Sequence, residues 1–285
     1  MDRWLWRVVS SAAELAGTAI VVAVLVSARV VAWHPDSPVG EWVHGASGRI
    51  AVVAGITGLA IVAVARSPLG RLSGAHLNPA VTIGFGLQGM VAPFELVAYP
   101  IAQIGGAVFG AVAAREAWGA SADLPHVVRG VTQPDDGWTT SAVLGGEVLT
   151  TAVLLLVAFA VLSRHSTLRS ASFVVPGALV AAVCIFAQRT GAGFNPARVL
   201  GPDVSAGRFP EIGTYLVAPL LGACLASAVW RVLVRRNVLT PKLDHHPRYP
   251  CYFRHCRLHP PAHAETRSAA VAAPANRTTT RPLVR

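Results

Sequence analysis

Ser73-Gly-Ala-His-Leu-Asn-Pro-Ala-Val-Thr82 and Thr190-Gly-Ala-Gly-Phe-Asn-Pro-Ala-Arg-Val199 are two copies of one pattern. Asn is a strong helix N-cap, and Pro suits the first helical position because its missing N–H would have no intrahelical partner anyway. Asn-Pro therefore writes a helix start twice, at 78 and at 195. Neither helix is long. The apolar pieces 76–87 and 194–204 fall well short of the roughly 20 residues that cross a bilayer.

Working outward, each copy sits in the same setting. Full-length apolar stretches lie near 10–33, 48–66 and 93–115 in the first half, and near 141–163, 171–188 and 213–234 in the second. The first stretch of each half carries a carboxylate, in Glu14-Leu-Ala-Gly-Thr18 and Glu147-Val-Leu-Thr-Thr151. Three spans per half is an odd number, so the second half enters the membrane from the opposite side. Such inverted repeats place their site at the midplane, where broken helices meet. Two half-helices dipping in from opposite faces bring their N-termini, the positive ends of their dipoles, to one point. The predicted fold is an all-α membrane protein of six transmembrane helices plus two re-entrant half-helices.

Composition agrees. Of 285 residues 53% are hydrophobic and only 13% charged, where a soluble domain carries about a quarter. The net charge of +10 does not point to nucleic acid, because ten of the 24 Lys and Arg lie after residue 234 and others flank spans. Seventeen fall on the side of the two termini and seven on the other, a bias that sets the termini in the cytoplasm; without the tail the count is seven against seven. Arg3 and Arg7 before the run 12–26 look like a signal peptide, but Glu14 and the absence of a clear cleavage site favour an uncleaved first span. The domain reading is a cytoplasmic N-terminus at 1–9, a channel domain at 10–236 (repeats about 10–115 and 141–236) and a basic tail at 237–285.

From about residue 10 to 236 the chain resembles the aquaporin and glycerol-facilitator (major intrinsic protein) family. The residues that carry the likeness are Glu14, the segment Ser73–Thr82, Gln103, Glu147, the run Asn195, Pro196, Ala197 and Arg198, and Pro219. The resemblance implies a passive channel for water and small uncharged solutes in the plasma or inner membrane, without a cofactor, and a homotetramer with one pore per subunit. It implies that the Asn78-Pro79-Ala80 and Asn195-Pro196-Ala197 turns line the pore centre and that both Asn amides donate to a passing oxygen, interrupting proton relay. It also implies that Glu14 and Glu147 hold the loop backbones and that Arg198 faces the lumen. Rival readings are proton-carrying carboxylates for the two Glu and a headgroup-snorkelling guanidinium for Arg198.

By the same resemblance, the selectivity filter falls on Val183, Ala192, Arg198 and a second-span residue, Thr57 or its neighbour Ile56 or Gly58, since Pro68 marks a one-residue insertion. Strict water channels usually have His where Val183 stands, and glycerol facilitators usually have Asp where Val199 stands. The predicted filter is wider and less polar than that of a dedicated water channel.

Outside the family frame, Gly17, Gly55, Gly58, Gly105, Gly106, Gly110 and Gly222 suggest close helix crossings. The tail, rich in Arg and Pro, reads as disordered and lying near anionic lipid. Its Cys251, His255, Cys256 and His259 could ligate a soft metal, but at a spacing that matches no zinc signature, so incidental ligands are the favoured reading. Two other classes remain to be weighed. A gradient-coupled secondary transporter would need unpaired carboxylates at the substrate path, and an intramembrane enzyme would need a nucleophile and base that the spans do not offer.

Overall fold

The computed structural model describes residues 2–258, and the described residues contain no β-strand. The helices follow in the order α1 (Arg3–Trp33), α2 (Pro38–Trp42), α3 (Ala46–Arg66), α4 (Pro68–Ser73), α5 (Pro79–Leu87), α6 (Pro93–Trp118), α7 (Thr140–Leu162), α8 (Ala171–Thr190), α9 (Pro196–Ala206) and α10 (Ile212–Val229). Six of them, α1, α3, α6, α7, α8 and α10, are long and apolar enough to cross a membrane. They match the six expected spans to within a few residues, except that α1 starts earlier, at Arg3, where the Asp2 carboxylate caps Leu5 N at 2.7 Å. The helices α5 and α9 have 9 and 11 residues, or roughly 14 and 17 Å at 1.5 Å per residue, about half a bilayer core each.

The two halves pack through equivalent seams. In the first, α1 crosses α6 closely enough that a Cβ on Gly106 would sit 2.1 Å from Leu15 O and one on Gly110 2.2 Å from Ala19 O. In the second, α7 crosses α10, and a Cβ on Gly222 would lie 2.7 Å from Val148 O. Without water to drive apolar association, backbone approach of this kind supplies the contact. Gly17 and Gly58 abut side chains, Leu77 and Val180. Two expected crossings are absent. Gly55 has nothing within 4 Å of its Cβ position, and Gly105 meets only Leu15 Cδ1 at 4.0 Å.

The face that carries Asp2, the end of α10 and the loops 67–78 and 163–170 is called the terminal face below. Here the expectation of a disordered tail fails for residues 237–258. The chain leaves α10 through a π-helical turn and lies across this face as a strap. Val238, Cys251 and Phe253 are buried in one cluster with Trp6, Phe85, Tyr99 and Trp230, and Leu239 is buried as well. Leu239 N donates to Leu162 O at 2.9 Å and Leu243 N to Gly74 O at 3.2 Å, which ties the strap to both repeats. Lys242 is only 1% exposed, and its ammonium donates to Arg71 O at 2.7 Å and Pro250 O at 3.2 Å. Arg71 pairs with Asp244 at 2.8 Å. Average composition hid this because a few apolar residues among many Arg and Pro suffice when a preformed helix bundle offers the other half of the core. The remainder of the expected tail, 259–285, lies outside the described residues.

Gly110→Leu should force α1 and α6 apart, costing at least the ~1–3 kcal/mol of an overpacked core. The expected result is a lower melting midpoint and loss of monodispersity in detergent, while Gly55→Ala, with open space around it, leaves both unchanged.

Candidate functional site

The site is built from two loops that enter the membrane without helical hydrogen bonding. Within each, the residues three and one before the Asn adopt left-handed backbone: Ala75 and Leu77 in the first loop (φ 55° and 51°), Ala192 and Phe194 in the second (φ 53° and 51°). Each such non-Gly residue costs roughly 1–2 kcal/mol. The conformation turns successive N–H groups inward, where a buried carboxylate collects them. Glu14 Oε1 accepts from Ser73 Oγ at 2.6 Å and His76 N at 3.0 Å, and its Oε2 accepts from Leu77 N and Gln103 Nε2, both at 2.7 Å. Glu147 Oε1 accepts from Thr190 Oγ1 at 2.7 Å and Gly193 N at 3.0 Å, and its Oε2 from Phe194 N at 2.6 Å. Hydrogen bonds to a charged acceptor are about twice as strong as neutral ones. Tyr99 Oη donates to Ser73 O at 3.0 Å, and its counterpart Tyr215 Oη donates to Thr190 O.

With the loops fixed, the two half-helices meet. Asn78 Oδ1 caps Ala80 N at 2.8 Å; Asn195 Oδ1 caps Ala197 N at 3.0 Å and Arg198 N at 3.3 Å, with Pro79 and Pro196 at the first helical position. Each Asn also reaches across the repeat axis. Asn78 Nδ2 donates to Phe194 O at 2.9 Å and Asn195 Nδ2 to Leu77 O at 2.8 Å. An amide NH2 has two hydrogens, so one on each Asn stays free of these links.

Both Asn side chains open onto a lumen. A cavity of about 170 Å³ runs from Pro241 and Leu243 of the strap past His76, Asn78 and Asn195 to Val183, Ala192 and Arg198. A second, of about 70 Å³, continues past Arg29 and Trp33 toward the opposite face and shares Thr57, Val183, Ala192 and Arg198 in its wall. All four expected filter residues are thus brought to one level. Of the second-span alternatives, Thr57 faces both cavities and donates its hydroxyl to Val53 O at 2.7 Å, and Gly58 lines the smaller cavity. Ile56 is on neither wall. Neither Glu14 nor Glu147 lines either cavity.

Three lumen residues were missed in the sequence. Thr18 and Thr151 stand one turn after each Glu and line the larger cavity; their hydroxyls are buried and lack a hydrogen-bond partner among the described residues. Their matching place in the two Glu-x-x-x-Thr pentads was the available signal. In the sequence Arg29 is one of the seven basic residues on the side away from the termini. Its Nη1 donates to Val131 O at 3.0 Å and Val127 O at 3.3 Å, holding a second guanidinium beside the lumen on the side of Arg198. One guanidinium nitrogen of Arg198, Nη1, is buried and has no partner among the described residues.

The profile of the family described as Major intrinsic protein matches residues 5–230. The chain belongs to the major intrinsic protein family. It is 32% identical over 185 residues to Aquaporin NIP3-1 of Oryza sativa subsp. japonica, 65% of this chain and 58% of that one. It is 35% identical over 187 residues to Aquaporin-1 of Pongo abelii, 65% and 66% of the two chains, and 30% identical over 242 residues to Aquaporin FA-CHIP of Pelophylax lessonae, 84% and 87%. The alignments thus span about three fifths of the length of the rice and Zea mays NIP3-1 relatives. The structure of the aquaglyceroporin from Plasmodium falciparum superposes with a TM-score of 0.66 at 22% identity, over 80% of this chain and 97% of that one, and shares its fold. Six apolar spans together with this membership make the chain a multi-pass membrane protein of the major intrinsic protein family.

Glu147→Gln would set an amide NH2 against N–H donors and leave buried groups unsatisfied, at ~1–3 kcal/mol each. Tyr215→Phe removes one neutral hydrogen bond, ~1 kcal/mol. Thermal unfolding in detergent should therefore show a clearly larger loss for Glu147→Gln; equal losses would mean that the carboxylate is not the anchor of the loop.

Proposed function

We propose that the chain is a passive transmembrane channel for water and small uncharged solutes that excludes protons and ions. The observation that carries this reading is the pair of Asn78 and Asn195 amides at the meeting point of two opposed half-helices, each with one hydrogen left over after its cross-link. A permeating oxygen that accepts from both amides points its own hydrogens away along the file, so it cannot accept a proton from one neighbour and pass one to the other. The positive ends of the two helix dipoles and the guanidiniums of Arg198 and Arg29 repel cations from the same path. A coupled transporter is disfavoured because Glu14 and Glu147 are occupied by loop donors and stand off the lumen.

Selectivity belongs to Thr57, Val183, Ala192 and Arg198. Val183 and Ala192 supply small apolar surface opposite a single guanidinium, which favours a solute with one polar edge and one apolar edge, such as glycerol or urea, alongside water. The basic bias of the terminal face supports cytoplasmic termini in a plasma or inner membrane, and family membership supports a homotetramer.

Stopped-flow light scattering of proteoliposomes tests this under water, glycerol and urea gradients. The wild-type chain should raise osmotic permeability well above that of empty vesicles without dissipating a proton gradient. Ala192→Trp should close the filter and return every flux to the lipid baseline at unchanged protein incorporation. Val183→His should lower glycerol and urea flux more than water flux. Fluxes indifferent to Ala192→Trp would overturn the pore assignment.

A further inference from the structure

The strap that replaces the expected tail brings together three ligand-type side chains that lie apart in the sequence. One ring nitrogen of His245 and the sulfurs of Cys251 and Cys256 all lie within 4.8 Å of one another. Cys256 Sγ stands 3.6 Å from His245 Nε2. A tetrahedral centre with Zn–S of about 2.3 Å and Zn–N of about 2.0–2.1 Å places neighbouring S and N ligands about 3.6 Å apart. The cluster can therefore close on a cation by small side-chain rotations. Both cysteines are free thiols. Thiolate with imidazole is the donor set of a thiophilic ion, not of magnesium or calcium.

The grouping differs from the one the sequence suggested. His255 is exposed, in left-handed backbone at φ 54°, and stands outside the cluster. His259 lies outside the described residues. In their place the fold recruits His245, six residues before Cys251, by turning the strap back on itself. Cys251 is buried in the same apolar cluster as Trp6 and Phe253, which supplies a low-dielectric wall on one side. Three protein ligands leave one coordination position open among the described residues.

We propose that His245, Cys251 and Cys256 form a binding site for a zinc-type divalent cation, and that the bound ion fastens the strap across the terminal mouth of the lumen. The mechanical link is short. Phe253, between the two cysteines, stacks on the His76 ring at 5.6 Å, and His76 Nε2 donates to Pro241 O at 2.9 Å. Pro241 and Leu243 form the lumen wall at that end. An ion that joins His245 to Cys251 and Cys256 thus closes residues 245–256 into a ring, and this ring holds Phe253 against His76, which in turn bonds the mouth residue Pro241. Binding itself is independent of the channel reading; its effect on flux rests on that reading.

The test uses the full-length chain, without a histidine tag, purified in detergent under reducing conditions. Titration with Co²⁺ is expected to give one equivalent per chain, with the visible absorption of tetrahedral thiolate-bound cobalt, bleached by Zn²⁺. Cys256→Ser should weaken cobalt binding by at least ~100-fold, beyond the effect of outer-shell changes, and His255→Ala should leave it intact. In the wild-type chain, where misfolding is no concern, Zn²⁺ should protect Cys251 and Cys256 from maleimide but not Cys184 and Cys224. In proteoliposomes Zn²⁺ on the terminal face should lower water flux in wild type and not in Cys256→Ser. Absence of stoichiometric cobalt, undiminished binding in Cys256→Ser, or a Cys251–Cys256 disulfide in place of metal uptake would overturn the site. Binding without a change in an otherwise normal water flux would overturn the fastening. Binding to a chain that conducts nothing would leave the site standing and remove the channel reading.

Discussion

A polypeptide that abandons helical geometry at membrane depth exposes N–H groups that no lipid can satisfy, at several kcal/mol each. Here two loops do so in the same way, and two buried carboxylates answer them. Glu14 and Glu147 take the inward-turned N–H groups of His76 and Leu77 and of Gly193 and Phe194, with hydroxyl donors completing each set. This bonding holds Ala75, Leu77, Ala192 and Phe194 in left-handed backbone. It thereby sets where each Asn stands, where each half-helix starts, and which carbonyl each Asn amide meets across the repeat axis. A charge that would otherwise be a liability in lipid becomes the fixed point of its half of the molecule.

The halves are equivalent in backbone but divided in chemistry. Gln103 gives Glu14 a fourth donor, whereas Pro219 occupies the matching place in α10 and Glu147 has three. His76 reaches the strap, while its counterpart Gly193 lies flat against Tyr215. Val81 and Arg198 hold the same place in their half-helices, three residues after the Asn, and both line the lumen. The lumen therefore carries Val81 and the imidazole of His76 on the strap side of the Asn pair and is cationic on the other, where Arg29 adds a second guanidinium. One duplicated scaffold yields a directional wall.

What the sequence disclosed follows from how strongly each feature is encoded. Asn-Pro states a helix start in two residues, and its recurrence in an inverted frame leaves little freedom for the arrangement of Asn78, Asn195, Glu14 and Glu147. Val183, Ala192 and Arg198 could be placed by counting from Asn195 because α8 and its loop are continuous. Thr57 could not, since α4 intervenes and its length alters the register. Arg29 was illegible because its role depends on the carbonyls of Val127 and Val131, about a hundred residues away. Gly55 and Gly105 misled because a glycine in a span signals permission for close contact, and only the partner decides whether the contact is made. The strap was hidden for a related reason: its order is borrowed from a surface that local composition does not describe.

That strap has a consequence for biogenesis. Residues 238–258 emerge from the ribosome after every element they touch. The α1 helix, which supplies Trp6, and the Gly74–His76 loop, which supplies the bonds to Leu243 and Pro241, are made first among their docking partners, and Trp230 last. During translation, then, the bundle assembles with its terminal mouth uncovered, and covering it is a late step that joins the earliest and latest membrane segments. Nascent chains halted before residue 238 would present an assembled bundle whose Trp6 and Tyr99 rings lack the Phe253 that packs on them. Those rings are apolar, and an uncovered apolar patch of this sort is the kind that quality-control factors bind.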